Sequence, residues 1–239
     1  MKPRVLAVIP ARYDSRRFPG KPLALIKGRP LIEHIYREAE KTARIDRLVV
    51  ATDSQDIATA VKDFGGEVVM TSRKHHTGSD RTSEVVAKLG GSIIISIQAD
   101  HLGVTRNDYD RVLKAMLADR HMQYASLMKR VADDTELDDP NRVKVICDTN
   151  GDALWFSRYP LPYLQGVTDT RLGRFMYFYH IGVYFYRRAA LERYHAWPRT
   201  ALEKAESLEQ LRILEHHQKI RMYAIKSRVW SIDAPEDLE

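Results

Sequence analysis

Two rhythms of apolar and polar residues alternate along the first 120 positions. Short apolar runs of strand length occupy residues 5–9, 47–52, 67–70 and 92–97. Between them lie amphipathic stretches of helical period. Residues 31–42 place Leu31, Ile32, Ile35 and Ala39 on one face, 55–64 follow Ser54 as a natural N-cap, and 81–89 form a third. Gly65-Gly66 ends the second of these. Strands alternating with helices predict βαβ units, and hence an α/β fold with a mainly parallel sheet covered on both faces. Ligands of such sheets bind beyond the carboxyl ends of the strands. That rule singles out 10–21, Asp53, 71–81 and 98–103 before any motif is considered.

The rest of the chain has a different texture. Residues 143–157 read as a hairpin with Asn150-Gly151 in its turn. Residues 174–188 read as a long strand holding seven of the 21 aromatics, with Phe178, His180, Gly182, Tyr184 and Tyr186 on one face. So many rings exceed what one small sheet buries, which predicts a subunit interface and a homodimer. A helix is expected over 202–217, a strand over 220–225 and a helix start at 233–238, with Asp233 as its cap. The resulting expectation is a single α/β domain over 1–239, with a mixed, mostly parallel sheet and a β-rich dimerisation insert at 124–188.

Composition narrows the class. With 44% hydrophobic and 29% charged residues, the 239-residue chain has the make-up of a soluble globular protein and not of a disordered one. No apolar stretch approaches the ~20 residues of a membrane-spanning helix, and the run at 5–9 is too short for a secretory leader. The single cysteine, Cys147, excludes an intrachain disulfide and fits a cytoplasmic setting. The net charge is +6, but no block of five basic residues occurs. An anionic small-molecule substrate fits that pattern better than nucleic acid does. The adjacent pairs His75-His76 and His216-His217 lack the carboxylate company of a transition-metal site.

The loop at 10–21 carries Arg12, Arg16, Arg17 and Lys21 within ten residues directly after a predicted strand. Cations, backbone N–H donors and the Ser15 hydroxyl are the groups a triphosphate requires. The spacing is neither a Walker A loop nor a dinucleotide fingerprint.

The wording of this loop resembles the sugar nucleotidyltransferases. Ile9-Pro10-Ala11-Arg12, Ser15, Arg17 and Pro19-Gly20-Lys21-Pro22-Leu23 match that signature, most nearly in the 3-deoxy-manno-octulosonate (Kdo) cytidylyltransferases. Further blocks follow in the family's order: Ala51-Thr52-Asp53, Thr77-Gly78-Ser79-Asp80-Arg81, Pro140-Asn141-Arg142-Val143-Lys144, Phe156-Ser157-Arg158, His180-Ile181-Gly182-Val183-Tyr184, 206–212 and 233–238. The resemblance implies a magnesium-dependent enzyme joining CTP to a 3-deoxy sugar acid, with release of pyrophosphate, in the synthesis of lipopolysaccharide. It implies that Arg12, Ser15 and Lys21 hold the triphosphate, that Arg81 reads the cytosine, and that Asp100 and Asp233 bind Mg²⁺. The catalytic set is then Lys21, Asp100 and Asp233. By the same resemblance Gln98, Arg158, His180, Tyr184, Glu209 and Gln210 contact the sugar, Arg158 gripping its carboxylate in a bidentate way.

One block departs from the family. Gln98-Ala99-Asp100-His101-Leu102 stands where Gln-Gly-Asp-Glu-Pro is usual, and Asp14 adds a carboxylate to the phosphate loop. The departure leaves two alternatives open beside Kdo transfer: a cytidylyltransferase for a different anionic acceptor, and a non-catalytic nucleotide-binding homologue.

Overall fold

The computed structural model describes residues 4–14, 18–75, 77–167, 171–232 and 234–238. In chain order its elements are β1 (Val5–Pro10), β2 (Leu25–Ile26), β3 (Arg29–Pro30), α1 (Leu31–Glu40), β4 (Arg47–Thr52), α2 (Gln55–Asp63), β5 (Val68–Met70), α3 (Gly78–Leu89), β6 (Ile93–Ile97), β7 (His101–Leu102), α4 (Arg106–Ala118), β8 (Tyr124–Arg130), α5 (Asp134–Asp138), β9 (Lys144–Cys147), β10 (Ala153–Ser157), β11 (Phe178–Arg187), α6 (Arg188–Ala196), α7 (Ala201–Glu206), α8 (Leu211–Glu215), β12 (Ile220–Ile225) and β13 (Trp230–Ser231). These divide into two compact units. The first takes 1–121, 183–195 and 227–239, and the second takes 122–182 and 196–226. Among the described residues, no helix is long and apolar enough to cross a membrane.

The first unit is the α/β part. β1 lies between β4 and β6, parallel to both, and β5 continues the parallel set beyond β4. The last half of β11 runs antiparallel beside β6. Residues 5–9 and 93–97 are buried throughout, as strands covered on both faces must be. Each fully buried Val or Ile there is worth roughly 1.5–3 kcal/mol.

Local chemistry sets the helix starts. The Ser54 hydroxyl accepts the Ile57 N–H, as expected. α3 begins at Gly78, three residues before the predicted 81, because Thr77 and Asp80 form a reciprocal capping box at 3.1 Å on both sides. The Asp108 carboxylate accepts the Thr105 N–H at 3.0 Å and starts α4. Arg187 closes the other end of that helix by donating to the carbonyls of Met116 and Asp119.

The second unit is richer in strands. β8 and β12 pair in parallel over six residues, and β9–β10 form the predicted hairpin. In its turn the Asp148 carboxylate accepts the N–H groups of Asn150 and Asp152 at 2.9 Å, and Gly151 takes a positive φ of 81°. The first half of β11 pairs with β9 and with β8.

Three expectations change. The aromatic strand starts at Phe178 rather than 174, and its rings fill the chain's own interior. Tyr179 and Ile181 are buried within the second unit, while Tyr184 and Tyr186 stack on each other in the first. The rings of Tyr179, Tyr184, Phe185 and Tyr186 are therefore covered by the chain itself. Exposed rings lie outside β11: Phe175, just before it, is 39% exposed, and Tyr159 and Tyr163, after β10, are 80% and 86% exposed. Finally, the helix predicted over 202–217 breaks into α7 and α8 at Ser207, which adopts a left-handed φ of 54°.

Candidate active site

The carboxyl ends of the parallel strands in the first unit gather the groups that strand polarity singled out. β1 leads through Ala11 to Arg12, which is exposed and has no ion-pair partner among the described residues. The loop turns back where the Gly20 N–H donates to the Tyr13 carbonyl at 2.9 Å. Gly20 has φ 71°, a left-handed backbone that favours glycine. Lys21 then opens a short 3-10 turn. Ser15, expected with Arg12 and Lys21 at the triphosphate, lies outside the described residues.

Lys21 reaches across to Asp100, just past the end of β6, with Nζ 3.5 Å from Oδ2. The two side chains are 12% and 29% exposed, so the pair remains open to a ligand. The other carboxylate oxygen, Oδ1, accepts a hydrogen bond from Nδ1 of His101 at 2.8 Å. Burial alone would raise the Asp100 pKa, but His101 and Lys21 together hold it well below the usual carboxylate range. The backbone is fixed as well. The Ile232 N–H donates to the Asp100 carbonyl at 3.0 Å, and β7 pairs antiparallel with β13, His101 opposite Ser231. Gly103 closes that ribbon, because a Cβ there would fall 2.1 Å from the Arg228 carbonyl oxygen. Gln98, half-buried, directly follows β6.

Arg81 sits on the first turn of α3 and is only 4% exposed. Its guanidinium donates to Asp53 Oδ2 at 3.0 Å, beyond the end of β4, and to the hydroxyl of Thr71, beyond the end of β5. It is thus a fixed donor and not a mobile surface cation. Tyr184, opposite Ser96 in the sheet, is buried in the same unit.

The other residues expected at the sugar lie in the second unit. Arg158 donates from Nε to the Glu206 carbonyl and from Nη1 to the Pro140 carbonyl, both at 2.9 Å. Its backbone N–H and the Ser157 hydroxyl share the Glu206 carboxylate. A side-on grip through Nε would require breaking the bond to Glu206, whereas an end-on grip of a ligand carboxylate can use Nη2 and the second N–H of Nη1. Among the described residues only Nη2 remains without a hydrogen bond. The His180 ring is buried against Phe156, its Nε2 2.8 Å from the Ser126 hydroxyl. Glu209 is not on a helix but in the turn between α7 and α8, and Gln210 caps α8 from a buried position. Sequence reasoning passed over Glu206 as an individual residue, although its block matched the family.

The donor set fits a hard divalent cation. Asp100 offers anionic oxygen, and among the described residues no cluster of three His, Cys, Asp or Glu side chains exists that would cage a metal. Mg²⁺ usually takes one or two carboxylates and fills its remaining positions with water and phosphate. Asp233, the second expected ligand, lies outside the described residues, one position after the Ile232 that bonds Asp100.

Comparison with known proteins agrees with this picture. The cytidylyltransferase family model matches residues 6–220. A 3-deoxy-manno-octulosonate cytidylyltransferase of Geobacter metallireducens is 39% identical over 99% of this chain and 95% of its own. The same enzyme of Parabacteroides distasonis is 42% identical, covering 99% and 96%. A solved CMP:2-keto-3-deoxy-manno-octonic acid synthetase complexed with CTP superposes with a TM-score of 0.90, at 37% identity, over 98% of this chain and 95% of that one. Strand-end site, fold and sequence agree: the chain belongs to the cytidylyltransferase family, with the 3-deoxy-manno-octulosonate cytidylyltransferases as its relatives.

Proposed function

We propose that this protein transfers the CMP group of CTP to Kdo and releases pyrophosphate. The observation that carries the reading is the Lys21–Asp100 pair, left open at the ends of parallel strands, in a chain alike over nearly its whole length to Kdo cytidylyltransferases. The anomeric hydroxyl oxygen of the sugar attacks the α-phosphorus. The bond from that phosphorus to the bridging oxygen breaks, pyrophosphate leaves with the electron pair, and the hydroxyl proton passes to solvent. Both reactants are anions, so charge stabilisation is the main task of the protein.

In this reading Arg12, Ser15 and Lys21 hold the triphosphate, and the buried Arg81 presents its guanidinium to the cytosine. Gln98, Tyr184, Arg158, His180, Glu209 and Gln210 serve the sugar. Arg158 would meet the sugar carboxylate end-on, through Nη2 and the second N–H of Nη1, its Nε being engaged with Glu206. Asp100 and Asp233 would hold Mg²⁺, which when bound supplies neutralisation of the polyphosphate charge. With the cation there, Lys21 would turn from Asp100 to a phosphate oxygen. A homodimer through Tyr159 and Tyr163 belongs to the same proposal, and sedimentation at twice the chain mass would support it.

The departure at His101 is compatible with Kdo as the acceptor, because its ring is engaged with Asp100. The test is pyrophosphate release from CTP, UTP, ATP and GTP with Kdo and a panel of other sugar acids. The expected result is preference for CTP with Kdo, since a site built to bond one base rejects others strongly. Equal use of a purine triphosphate would overturn the reading.

A further inference from the structure

The side chain at position 101 is the part of the site that the proposed roles leave unused. Asp100 is held at three points of unequal quality. Its carbonyl is pinned by Ile232 at 3.0 Å, which fixes the backbone but not the carboxylate. Lys21 stands 3.5 Å from Oδ2, beyond the usual range for a directional N–H···O bond, so it supplies charge more than orientation. His101 is 2.8 Å from Oδ1, at full hydrogen-bonding distance, and its ring is mostly buried. Since the carboxylate is ionised, Nδ1 carries the proton and donates it. Among the described residues, this is the contact short enough to set the rotation of the carboxylate plane.

Neighbouring side chains in a strand point to opposite faces. The turn at Ala99-Asp100 lets the side chain of Asp100 meet that of His101, the first residue of β7. The pairing of β7 with β13 and the close approach at Gly103 then hold that turn in place.

We propose that His101 is a positioning residue: its Nδ1–H fixes the Asp100 carboxylate so that Oδ2 is presented to the divalent cation and the triphosphate. This rests on the reading of Asp100 as a metal ligand. Hydrogen-bonded partners of ligating carboxylates orient them, and their loss typically costs about 10- to 100-fold in metal affinity. The departure from the family at this position thus acts on the nucleotide side of the reaction and not on the choice of acceptor.

The experiment titrates Mn²⁺ into the protein with CTP and no acceptor, followed by water-proton relaxation, and needs no turnover. His101→Leu removes the donor. His101→Asn keeps an N–H near the place of Nδ1, and His101→Ala is a second donor-free variant should the leucine disturb folding. Both donor-free variants should bind Mn²⁺ about 10- to 100-fold more weakly, with His101→Asn recovering most of the affinity. In turnover the Mg²⁺ requirement should rise while the KM for Kdo stays within about twofold. Unchanged Mn²⁺ binding in the donor-free variants overturns the proposal, as does a defect confined to the KM for Kdo. A wild-type protein that binds CTP but no Mn²⁺ overturns the metal reading itself, and this inference with it.

Discussion

Each unit carries an acid–base pair away from bulk water, and the two pairs are built to opposite ends. Lys21 and Asp100 in the first unit touch through one contact of 3.5 Å and keep part of the carboxylate exposed. Arg212 and Glu203 in the second unit meet through two bonds, Nε and Nη2 donating at 2.7 and 2.6 Å, with side chains only 5% and 2% exposed. Glu203 accepts the Thr200 N–H as well, so it caps α7 while it neutralises Arg212. A closed, fully satisfied pair gains nothing from a ligand. An open, stretched pair leaves part of its carboxylate exposed to an incoming ligand. The first serves the fold, and the second is available to chemistry.

The sharpest way to break this comparison is Asp100→Asn. The substitution is isosteric and should leave the melting temperature within a few degrees of wild type. Pyrophosphate release should fall at least ~100-fold, the scale of one lost electrostatic element in a transition state. Near-normal turnover with Mg²⁺ present would place Asp100 with the structural pairs.

Glu203→Gln should do the reverse. Breaking a buried pair leaves an uncompensated charge, at a cost of about 3–5 kcal/mol. Denaturant unfolding should show that loss, while KM values of the surviving folded protein stay as in wild type. The effect also has a pH signature. Burial alone would push the Glu203 pKa up, but Arg212 and the Thr200 N–H more than offset it, so the folded-state value lies below the ordinary one. A depressed carboxylate stabilises above its unfolded pKa, and the contribution is lost as pH falls through the folded value. Wild type and Glu203→Gln should therefore converge in stability under acid. A gap that persists or widens there would mean that packing, not charge, sets the cost.

The two units were also unequally legible in the sequence. In the first, β4 and the Ser54 cap fell where periodicity and capping chemistry placed them, because parallel strands read as unbroken apolar runs. The strand-end rule marked Lys21, Asp53, Arg81 and Asp100 before their contacts were known. It could not show that Arg81 is buried between Asp53 and Thr71, since three separate loops must meet for that. Nor could it show the bond from His101 to Asp100, which depends on a turn where a strand would separate them. In the second unit, the start of β11 was placed four residues early, and alternation marks faces without saying what covers them. The break at Ser207 was hidden because apolar residues continue in helical phase on both sides, and only the left-handed backbone separates α7 from α8.

A smaller effect is expected at Glu84 on α3, a surface network within the first unit. Burial raises its pKa, but Lys88, the Ser72 N–H and His75 prevail and hold it at about 2. Its stabilising contribution should be full above the ordinary glutamate range and vanish as pH falls toward 2. Glu84→Gln should lower the melting temperature at neutral pH by a few degrees at most, as expected of partly exposed pairs, which are typically worth ~0.2–1 kcal/mol. A drop as large as that of Glu203→Gln would erase the distinction between open and closed pairs.

Cys147 gives the finest test, because it is the only cysteine and lies on β9 in the second unit. Burial pushes its thiol up to about 11, and Asp148 and Asp152 add to the shift. Only the thiolate reacts with iodoacetamide, and raising the pKa from about 9 to about 11 cuts the thiolate fraction at pH 8 roughly 100-fold. Alkylation of the native protein should be correspondingly slow, and the residual rate should report how often the second unit opens. Glu203→Gln weakens that unit and should speed alkylation well below its melting temperature. Asp100→Asn removes chemistry from the first unit and should leave the alkylation rate at the wild-type value. If both variants label Cys147 equally fast, the two pairs share one role in stability, and the open geometry at Asp100 is no sign of function.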